Sequence, residues 1–159
     1  MRVLVFSDSH GSNYNLRKVL DTATADYLIF LGDGLREVQN LMQSYPHIKF
    51  LAVKGNCDFD PEAIETDLVT IGGIRILFTH GHNFNVRYTT KTLEDAARKI
   101  NADIVLYGHT HIAEKTYSDG LYIINPGSCS KSREGGNSYA ALDIENGQVL
   151  PSIIKLSLI

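Results

Sequence analysis

Short apolar runs, each followed at once by a polar segment, recur through the first two thirds of this chain and restrict its fold. The runs are VLVF, YLIFL, FLAVK, RILFT and DIVLY. Their length is typical of buried strands. Between the first three runs, apolar residues recur at helical spacing over 13–24 and 35–44, the second with Leu35, Val38, Leu41 and Met42 facing inward. This β-α-β-α-β order predicts a parallel sheet with helical crossovers.

The second half of the chain predicts another sheet. Residues 66–71 and 74–79 read as strands joined by Gly72-Gly73, which suits a two-residue hairpin turn. A helix is expected over 89–100 and a buried strand over 103–107. Four further segments with turn residues between them predict an antiparallel meander, namely 112–118, 121–124, 138–144 and 148–156. We therefore expect one α/β domain over residues 1–159, with two packed sheets and helices outside.

Each apolar run ends in a segment that carries Asp, Asn or His. These segments are Ser7-Asp8-Ser9-His10, Gly32-Asp33-Gly34, Gly55-Asn56-Cys57-Asp58, His80-Gly81-His82 and Gly108-His109-Thr110-His111. Ligands of open α/β sheets bind outside the carboxyl ends of the strands, so the five segments are expected to meet. One such Asp is usually a turn residue, and Asp8 alone could cap a helix. Five together predict a metal site, because clustered carboxylates and imidazoles need a cation to offset their desolvation and repulsion.

The candidate ligands number too many for one tetrahedral zinc ion. They are Asp8, His10, Asp33, Asn56, His80, His109 and His111. The set suits two divalent ions that share a carboxylate, and oxygen and imidazole ligands without thiolate suit manganese, nickel, zinc, iron or cobalt. We expect manganese first. The two carboxylates offset only half of the charge of two such ions, which leaves a positive site suited to hydroxide and a phosphodiester anion.

Composition excludes several classes of protein. The formal net charge of −3 and the lack of a Lys/Arg run argue against binding of large nucleic acids. No apolar run approaches the roughly 20 residues of a membrane span, so no membrane association is expected. The two cysteines, Cys57 and Cys129, make no disulfide framework, and the N-terminus begins a strand at once. These features predict a cytoplasmic protein.

The ordered blocks resemble the calcineurin-like metallophosphoesterases. The blocks are Asp8-x-His10, Gly32-Asp33, Gly55-Asn56, His80 and Gly108-His109-x-His111. The later segment Asn125-Pro126-Gly127-Ser128 is typical of the small single-domain phosphodiesterase branch, the YfcE and MJ0936 type. The resemblance implies a four-layer α/β/β/α sandwich of two mixed β-sheets flanked by helices. Asn125 and Ser128 are expected to fix the loop that closes one side of the cleft.

Carried over position by position, the resemblance divides the ligands between two metal ions. It assigns the first ion to Asp8, His10, Asp33 and His111, and the second to Asp33, Asn56, His80 and His109. It also implies that Asp33 bridges and that a metal-bound hydroxide attacks phosphorus in line. Asp58 is expected either to orient Asn56 or His109 during catalysis, or only to form a turn. His82 either faces the substrate or supports the ligands, or is a plain turn residue.

One position departs from the family pattern. Many relatives have His after the Asn of the third block, where it contacts phosphate and can protonate the leaving group; here Cys57 occupies that position. A thiol is a weak hydrogen-bond donor and a poor acid at neutral pH. We therefore expect small phosphodiesters with activated leaving groups to be better substrates than alkyl monoesters.

Several questions stay open from the sequence. Lys131 and Arg133 follow the Asn-Pro-Gly-Ser turn, where they meet either a phosphate or only solvent. The strands of the tail offer an edge at which two copies could pair as a homodimer. The alternative function is a non-catalytic protein-binding scaffold on the same fold, like the retromer subunit. The presence of His80, His109 and His111 favours catalysis over that alternative.

Overall fold

The computed structural model describes residues 1–156, so the last three residues of the predicted domain lie outside the described part of the chain. Its helices are α1 (Tyr14–Leu20), α2 (Leu35–Met42) and α3 (Lys91–Lys99), with one 3-10 turn at His82–Phe84. Its strands are β1 (Arg2–Phe6), β2 (Tyr27–Phe30), β3 (Lys49–Ala52), β4 (Thr66–Ile71), β5 (Ile74–Thr79), β6 (Ile104–Leu106), β7 (Ala113–Ser118), β8 (Leu121–Pro126), β9 (Ser138–Glu145) and β10 (Gln148–Lys155). Among these residues no helix has the length and apolar character that crossing a membrane requires.

The strands form two mixed five-stranded sheets. The first sheet has the order β10-β9-β1-β2-β3, and the second has the order β4-β5-β6-β8-β7. In the first sheet β1, β2 and β3 run parallel, as the alternation of apolar runs and helices predicts. The Gly72-Gly73 turn joins β4 and β5 with positive φ at both glycines, which is the conformation that a two-residue hairpin favours.

The apolar side chains fill three interfaces between four layers. The core between the two sheets includes Val5, Ile29, Ile76, Phe78 and Leu106. The other face of the first sheet packs on α1 and α2 through residues such as Leu4, Leu16, Phe30 and Val38. The second sheet packs on α3 through Leu77, Leu93, Ala97 and Val105. The predicted α/β/β/α sandwich is confirmed.

The antiparallel meander predicted for the tail is wrong. β7 and β8 form a hairpin in the second sheet, where β8 also runs parallel to β6. β9 and β10 form a hairpin in the first sheet, where β9 runs antiparallel to β1. The two hairpins are local, as Asp119-Gly120 and Asn146-Gly147 indicate, but each hairpin is placed by burial of its apolar strand in a different sheet.

The predicted helices are longer than the observed ones, and one inward position is wrong. Leu35, Val38 and Leu41 of α2 are buried as predicted, whereas Met42, the last residue of the helix, is 42% exposed. α1 follows Asn13 as its N-cap residue, but the Asn13 side chain makes no capping hydrogen bond.

Candidate metal centre

The five predicted segments meet where the carboxyl ends of β1, β2, β3, β5 and β6 approach one another. Backbone hydrogen bonds join the first two segments: Asp8 N–H donates to Gly32 O, and His10 N–H donates to Asp33 O. In the second sheet Gly108 N–H donates to His80 O. The two sheets are joined by His80, whose Nδ1 lies 2.6 Å from Leu31 O. The carboxyl ends of both sheets therefore form one site.

Five of the predicted ligands occupy the left-handed backbone region. Their φ angles are 57° at Asp8, 45° at His10, 59° at Asp33, 69° at His109 and 61° at His111. This region costs a residue other than glycine about 1–3 kcal/mol, and such residues concentrate at functional sites. The tight turns after the strands therefore hold these side chains at an energetic cost, which the surrounding packing must offset.

The first ligand group comprises Asp8, His10 and His111, whose ligand atoms all lie within 4.8 Å of one another. Asp8 Oδ1 lies 3.2 Å from His111 Nε2 and 3.7 Å from His10 Nε2, and the two imidazole nitrogens are 3.1 Å apart. Within residues 1–156, Asp8 Oδ1 is buried and has no hydrogen-bond partner. A buried carboxylate oxygen and two facing ring nitrogens are an arrangement that a bound cation satisfies.

The second ligand group comprises Asp33, His80 and His109. His80 Nε2 lies 3.4 Å from Asp33 Oδ2 and 3.2 Å from His109 Nδ1. Asn56 Oδ1 joins this group at 3.1 Å from His80 Nε2. Asp33 Oδ2 also lies 3.8 Å from His10 Nε2, so its carboxylate faces both groups. All seven predicted ligands therefore lie together, with Asp33 between the two groups.

Hydrogen bonds to the backbone set the protonation of two of the imidazoles. His80 Nδ1 faces the Leu31 carbonyl, and His111 Nδ1 lies 2.8 Å from the Lys131 carbonyl. A carbonyl oxygen only accepts, so each Nδ1 carries the hydrogen, and in the neutral imidazole that binds metal each Nε2 presents a lone pair to the centre. This arrangement is the usual support of a metal-binding histidine.

Serine hydroxyl groups hold the loop that carries Asp8. Ser128 Oγ donates to Asp8 O at 2.8 Å, and Ser7 Oγ donates to Asp8 Oδ2 at 2.5 Å. Ser130 Oγ donates to Ser9 O at 2.7 Å. The expectation for Ser128 agrees with these contacts, whereas Ser7 and Ser130 were not anticipated, because serines beside a motif carry no distinguishing sequence signal.

Asn125 supports the opposite wall of the centre, as expected. Its Nδ2 donates to Gly108 O and to Thr110 Oγ1, both at 3.0 Å, and its Oδ1 accepts from Gly127 N–H. The side chain is fully buried. Asn125 therefore fixes the turn on which His109 and His111 lie.

The Asp58 carboxylate accepts hydrogen bonds from four backbone N–H groups of the neighbouring loops. Its Oδ2 accepts from the N–H groups of Asp33 and Gly55, each at 2.8 Å. Its Oδ1 accepts from Gly34 N–H at 2.9 Å and from Leu35 N–H at 3.0 Å, and so caps the N-terminus of α2. The described contacts include no hydrogen bond from Asp58 to the side chain of Asn56 or His109. Asp58 is a positioning residue that ties the loop after β2 to the loop after β3.

Charge and burial oppose each other in the centre. Burial by itself raises the pKa of Asp8, but the imidazoles of His10 and His111 beside its carboxylate outweigh burial and hold that pKa well below its usual range. Burial, followed by the neighbouring His80, lowers the pKa of His109 to about 4. The Asp8 carboxylate is therefore charged and the His109 imidazole neutral at pH 7, which are the forms that bind metal.

Cys57 and His82 lie beside the two ligand groups, and Cys57 also forms a third group of candidate ligand atoms with His10 and Asp33. The Cys57 side chain is exposed, its Sγ lies 3.5 Å from Asn56 Nδ2, and its N–H donates to Asp33 Oδ1 at 2.8 Å. Burial and the neighbouring Asp33 raise the pKa of the thiol. The His82 ring centre lies 5.4 Å from that of His80, and its buried Nδ1 has no hydrogen-bond partner within residues 1–156. His82 therefore packs against a ligand and does not belong to either ligand group.

Comparison with known proteins places these features in a family. A family model described as the calcineurin-like phosphoesterase superfamily domain matches residues 1–147. The probable metallophosphoesterase YsnB of Bacillus subtilis is 36% identical over 150 residues, covering 92% of this chain and 86% of YsnB. The phosphodiesterase YfcE of Escherichia coli K12 is 29% identical over 170 residues, covering 90% of this chain and 88% of YfcE.

Solved structures share the fold. A Streptococcus pneumoniae TIGR4 protein described as a predicted phosphoesterase has a TM-score of 0.84 at 29% identity, covering 97% of this chain and 88% of that one. Vps29 of Entamoeba histolytica, solved in complex with zinc, has a TM-score of 0.77 at 25% identity, covering 97% of this chain and 98% of that one. The fold is thus found both in proteins described as phosphoesterases and in Vps29.

Proposed function

This chain belongs to the calcineurin-like phosphoesterase superfamily, and from that membership we propose that it hydrolyses small phosphodiesters with two divalent metal ions. The observation that carries the proposal is the pair of adjoining ligand groups with the Asp33 carboxylate between them. A single metal ion would leave one group of buried carboxylate and imidazole atoms without a partner.

Each ligand group would bind one of the two ions. Asp8, His10, Asp33 and His111 would hold one ion, and Asp33, Asn56, His80 and His109 would hold the other. When bound, two such ions lower the pKa of coordinated water and stabilise the attacking and leaving oxygens of an in-line displacement. The Nδ1–H bonds of His80 and His111 keep their Nε2 atoms aimed at the centre.

Cys57 is poorly suited to protonate the leaving group. Its thiol stands beside Asn56 at the open side of the centre, and a thiol is a weak hydrogen-bond donor. Diesters with activated leaving groups are therefore the proposed substrates, ahead of alkyl monoesters. We propose manganese as the metal and a small phosphoester as the substrate. The proposed location of the protein is the cytoplasm.

The proposal is tested by removing and restoring metal. The protein is stripped with a chelator, and hydrolysis of bis-p-nitrophenyl phosphate is followed as manganese, nickel, zinc or magnesium is added back. Asn56→Ala and His109→Ala are expected to lower the restored turnover by more than about 100-fold, the upper range for losing a residue that merely supports a ligand. His47→Ala is the matched control, because His47 is exposed and is the one histidine outside the five segments.

The similarity to Vps29 supplies the second candidate function, a protein-binding scaffold without catalysis. The same experiment separates the two. The phosphodiesterase is supported if added metal restores turnover in the wild type and in His47→Ala but not in the two ligand variants. Metal binding without turnover on any ester contradicts it and supports the scaffold.

A further inference from the structure

Two clefts adjoin the ligand groups. One, of about 570 Å³, is lined by His10, Asp33 and Phe59, and is called the Phe59 cleft below. The other, of about 580 Å³, is lined by Arg87, Thr110 and Arg133, and is called the arginine cleft. A phosphodiester has two substituents on one phosphorus atom, so a pair of clefts beside one centre suits it better than a monoester.

The loop at 131–133 connects the two clefts at His111. Lys131 lines the Phe59 cleft, and its carbonyl accepts from His111 Nδ1. Arg133 lines the arginine cleft, and its N–H donates to His111 O at 3.1 Å. The loop at 131–133 therefore lies along both clefts, and Thr110, which stands between His109 and His111 in the sequence, lines the arginine cleft.

The arginine cleft is positively charged in a chain whose net charge is −3. Within residues 1–156 neither the Arg87 nor the Arg133 guanidinium makes a hydrogen bond or ion pair with another residue. Glu114 is the one carboxylate among the residues lining this cleft, and its Oε2 accepts from Tyr107 Oη at 2.8 Å. Two guanidinium groups therefore remain available for an anion.

The Phe59 cleft has a different charge balance. Its acidic residues include Asp33, which belongs to the ligand groups, and Asp58, whose oxygens accept four backbone N–H groups. Glu37 and Asp60 oppose Arg36 and Lys131, so with Asp33 and Asp58 the lining carries more negative than positive charge. The Phe59 cleft therefore disfavours an anionic substituent, whereas the arginine cleft suits one.

The lining of the arginine cleft also offers apolar surface. Val86 and Tyr107 are buried in its wall, and Ile112 and the 90% exposed Tyr88 stand beside the arginines. An inorganic anion would use the guanidinium groups alone. An organic substituent that ends in an anionic group would use both the charged and the apolar surface.

From the charge of the two clefts we propose that the arginine cleft binds an anionic group on one substituent of the substrate. The substrate class is then a phosphodiester of an alcohol that bears a second phosphate or a carboxylate. This inference rests on the proposed phosphodiesterase function for its place in the reaction, but the anion site can be measured without turnover.

The test compares two ligands that differ by one phosphate. Binding of thymidine 5′-phosphate and of thymidine 3′,5′-bisphosphate is measured by calorimetry, with and without manganese. The wild-type protein is expected to bind the bisphosphate about tenfold more tightly, since an exposed charge-assisted contact contributes little more than one such factor. The preference should weaken as salt is raised, because exposed charges are screened.

Variants of the two arginines localise the effect. Arg87→Gln and Arg133→Gln are each expected to reduce the preference several-fold, and the double variant to abolish it, whereas Arg133→Lys retains part of it. Arg17→Gln removes an exposed arginine of α1 and is the charge-matched control. Equal affinity of the wild type for both ligands, no binding of either, or an unchanged preference in the double variant would overturn the proposal.

Turnover is measured separately on the corresponding p-nitrophenyl diesters, with and without the 3′-phosphate. A preserved anion preference without hydrolysis contradicts the phosphodiesterase function and leaves the anion site supported. Hydrolysis of both diesters at equal kcat/KM, together with equal binding of the two nucleotides, contradicts the anion site alone.

Discussion

Asp58 gives the sharpest structural prediction, because one carboxylate joins two loops of the centre. In Asp58→Asn an NH₂ group replaces one oxygen, so two of the four backbone N–H groups face a donor. Hydrogen bonds to charged groups contribute about 1.5–3 kcal/mol each, and partial exposure favours the lower value, so the variant should lose about 3 kcal/mol of unfolding free energy. For a chain of this size that loss corresponds to a melting temperature lower by about 6–12 °C.

The assay is thermal and urea unfolding of the metal-free protein, with Asp60→Asn as the control. Asp60 lies two residues away and accepts one hydrogen bond from Glu62 N–H, so its variant should lose under about 1 kcal/mol. Manganese affinity should also fall in Asp58→Asn, because either oxygen that is replaced frees N–H groups of the segment at Asp33: those of Asp33 and Gly55, or those of Gly34 and Leu35. If Asp58→Asn is no less stable than Asp60→Asn, the positioning role is wrong.

Three further perturbations test the centre. In Gly108→Ala the new Cβ would overlap Ser7 Oγ and lie 2.9 Å from Asp8 Oδ2, so manganese affinity measured by calorimetry should fall by more than about tenfold. Cys57→His should raise the rate on an alkyl monoester relative to bis-p-nitrophenyl phosphate by at least about tenfold, because an imidazole can protonate the leaving group; an unchanged ratio would contradict the role given to this position. Manganese at a hundredfold excess over its Kd should add about 2.7 kcal/mol of stability, seen as a melting temperature that a chelator lowers again by several degrees.

Most of the centre could be predicted from sequence because its ligands stand at the ends of apolar runs. Burial fixes where such a run ends, and the carboxyl ends of parallel strands share one edge. The positions of Asp8, Asp33 and His109 followed from that rule alone. Asn56 was a candidate by the same rule, but the division of the ligands between two ions came only from the family resemblance.

The remaining features depend on contacts between distant parts of the chain. β8 and β9 are neighbours in sequence and lie in different sheets, because each finds its partner strand elsewhere in the chain. Asp58 is followed by Phe59-Asp60-Pro61, which reads as an ordinary turn, yet its carboxylate caps a helix that begins 23 residues earlier. Ser130 and Arg133 contact Ser9 and His111, which lie more than 20 positions away in the sequence. A local sequence pattern does not predict such contacts.

The count of metal ions needed for turnover tests the central claim most directly. Metal-free protein is titrated with manganese while bound metal and the rate of bis-p-nitrophenyl phosphate hydrolysis are measured on the same samples. Two adjoining ligand groups that share Asp33 predict that the rate reaches its plateau at two equivalents of bound manganese per chain. A plateau at one equivalent, or full metal loading without hydrolysis, would contradict the dinuclear phosphodiesterase.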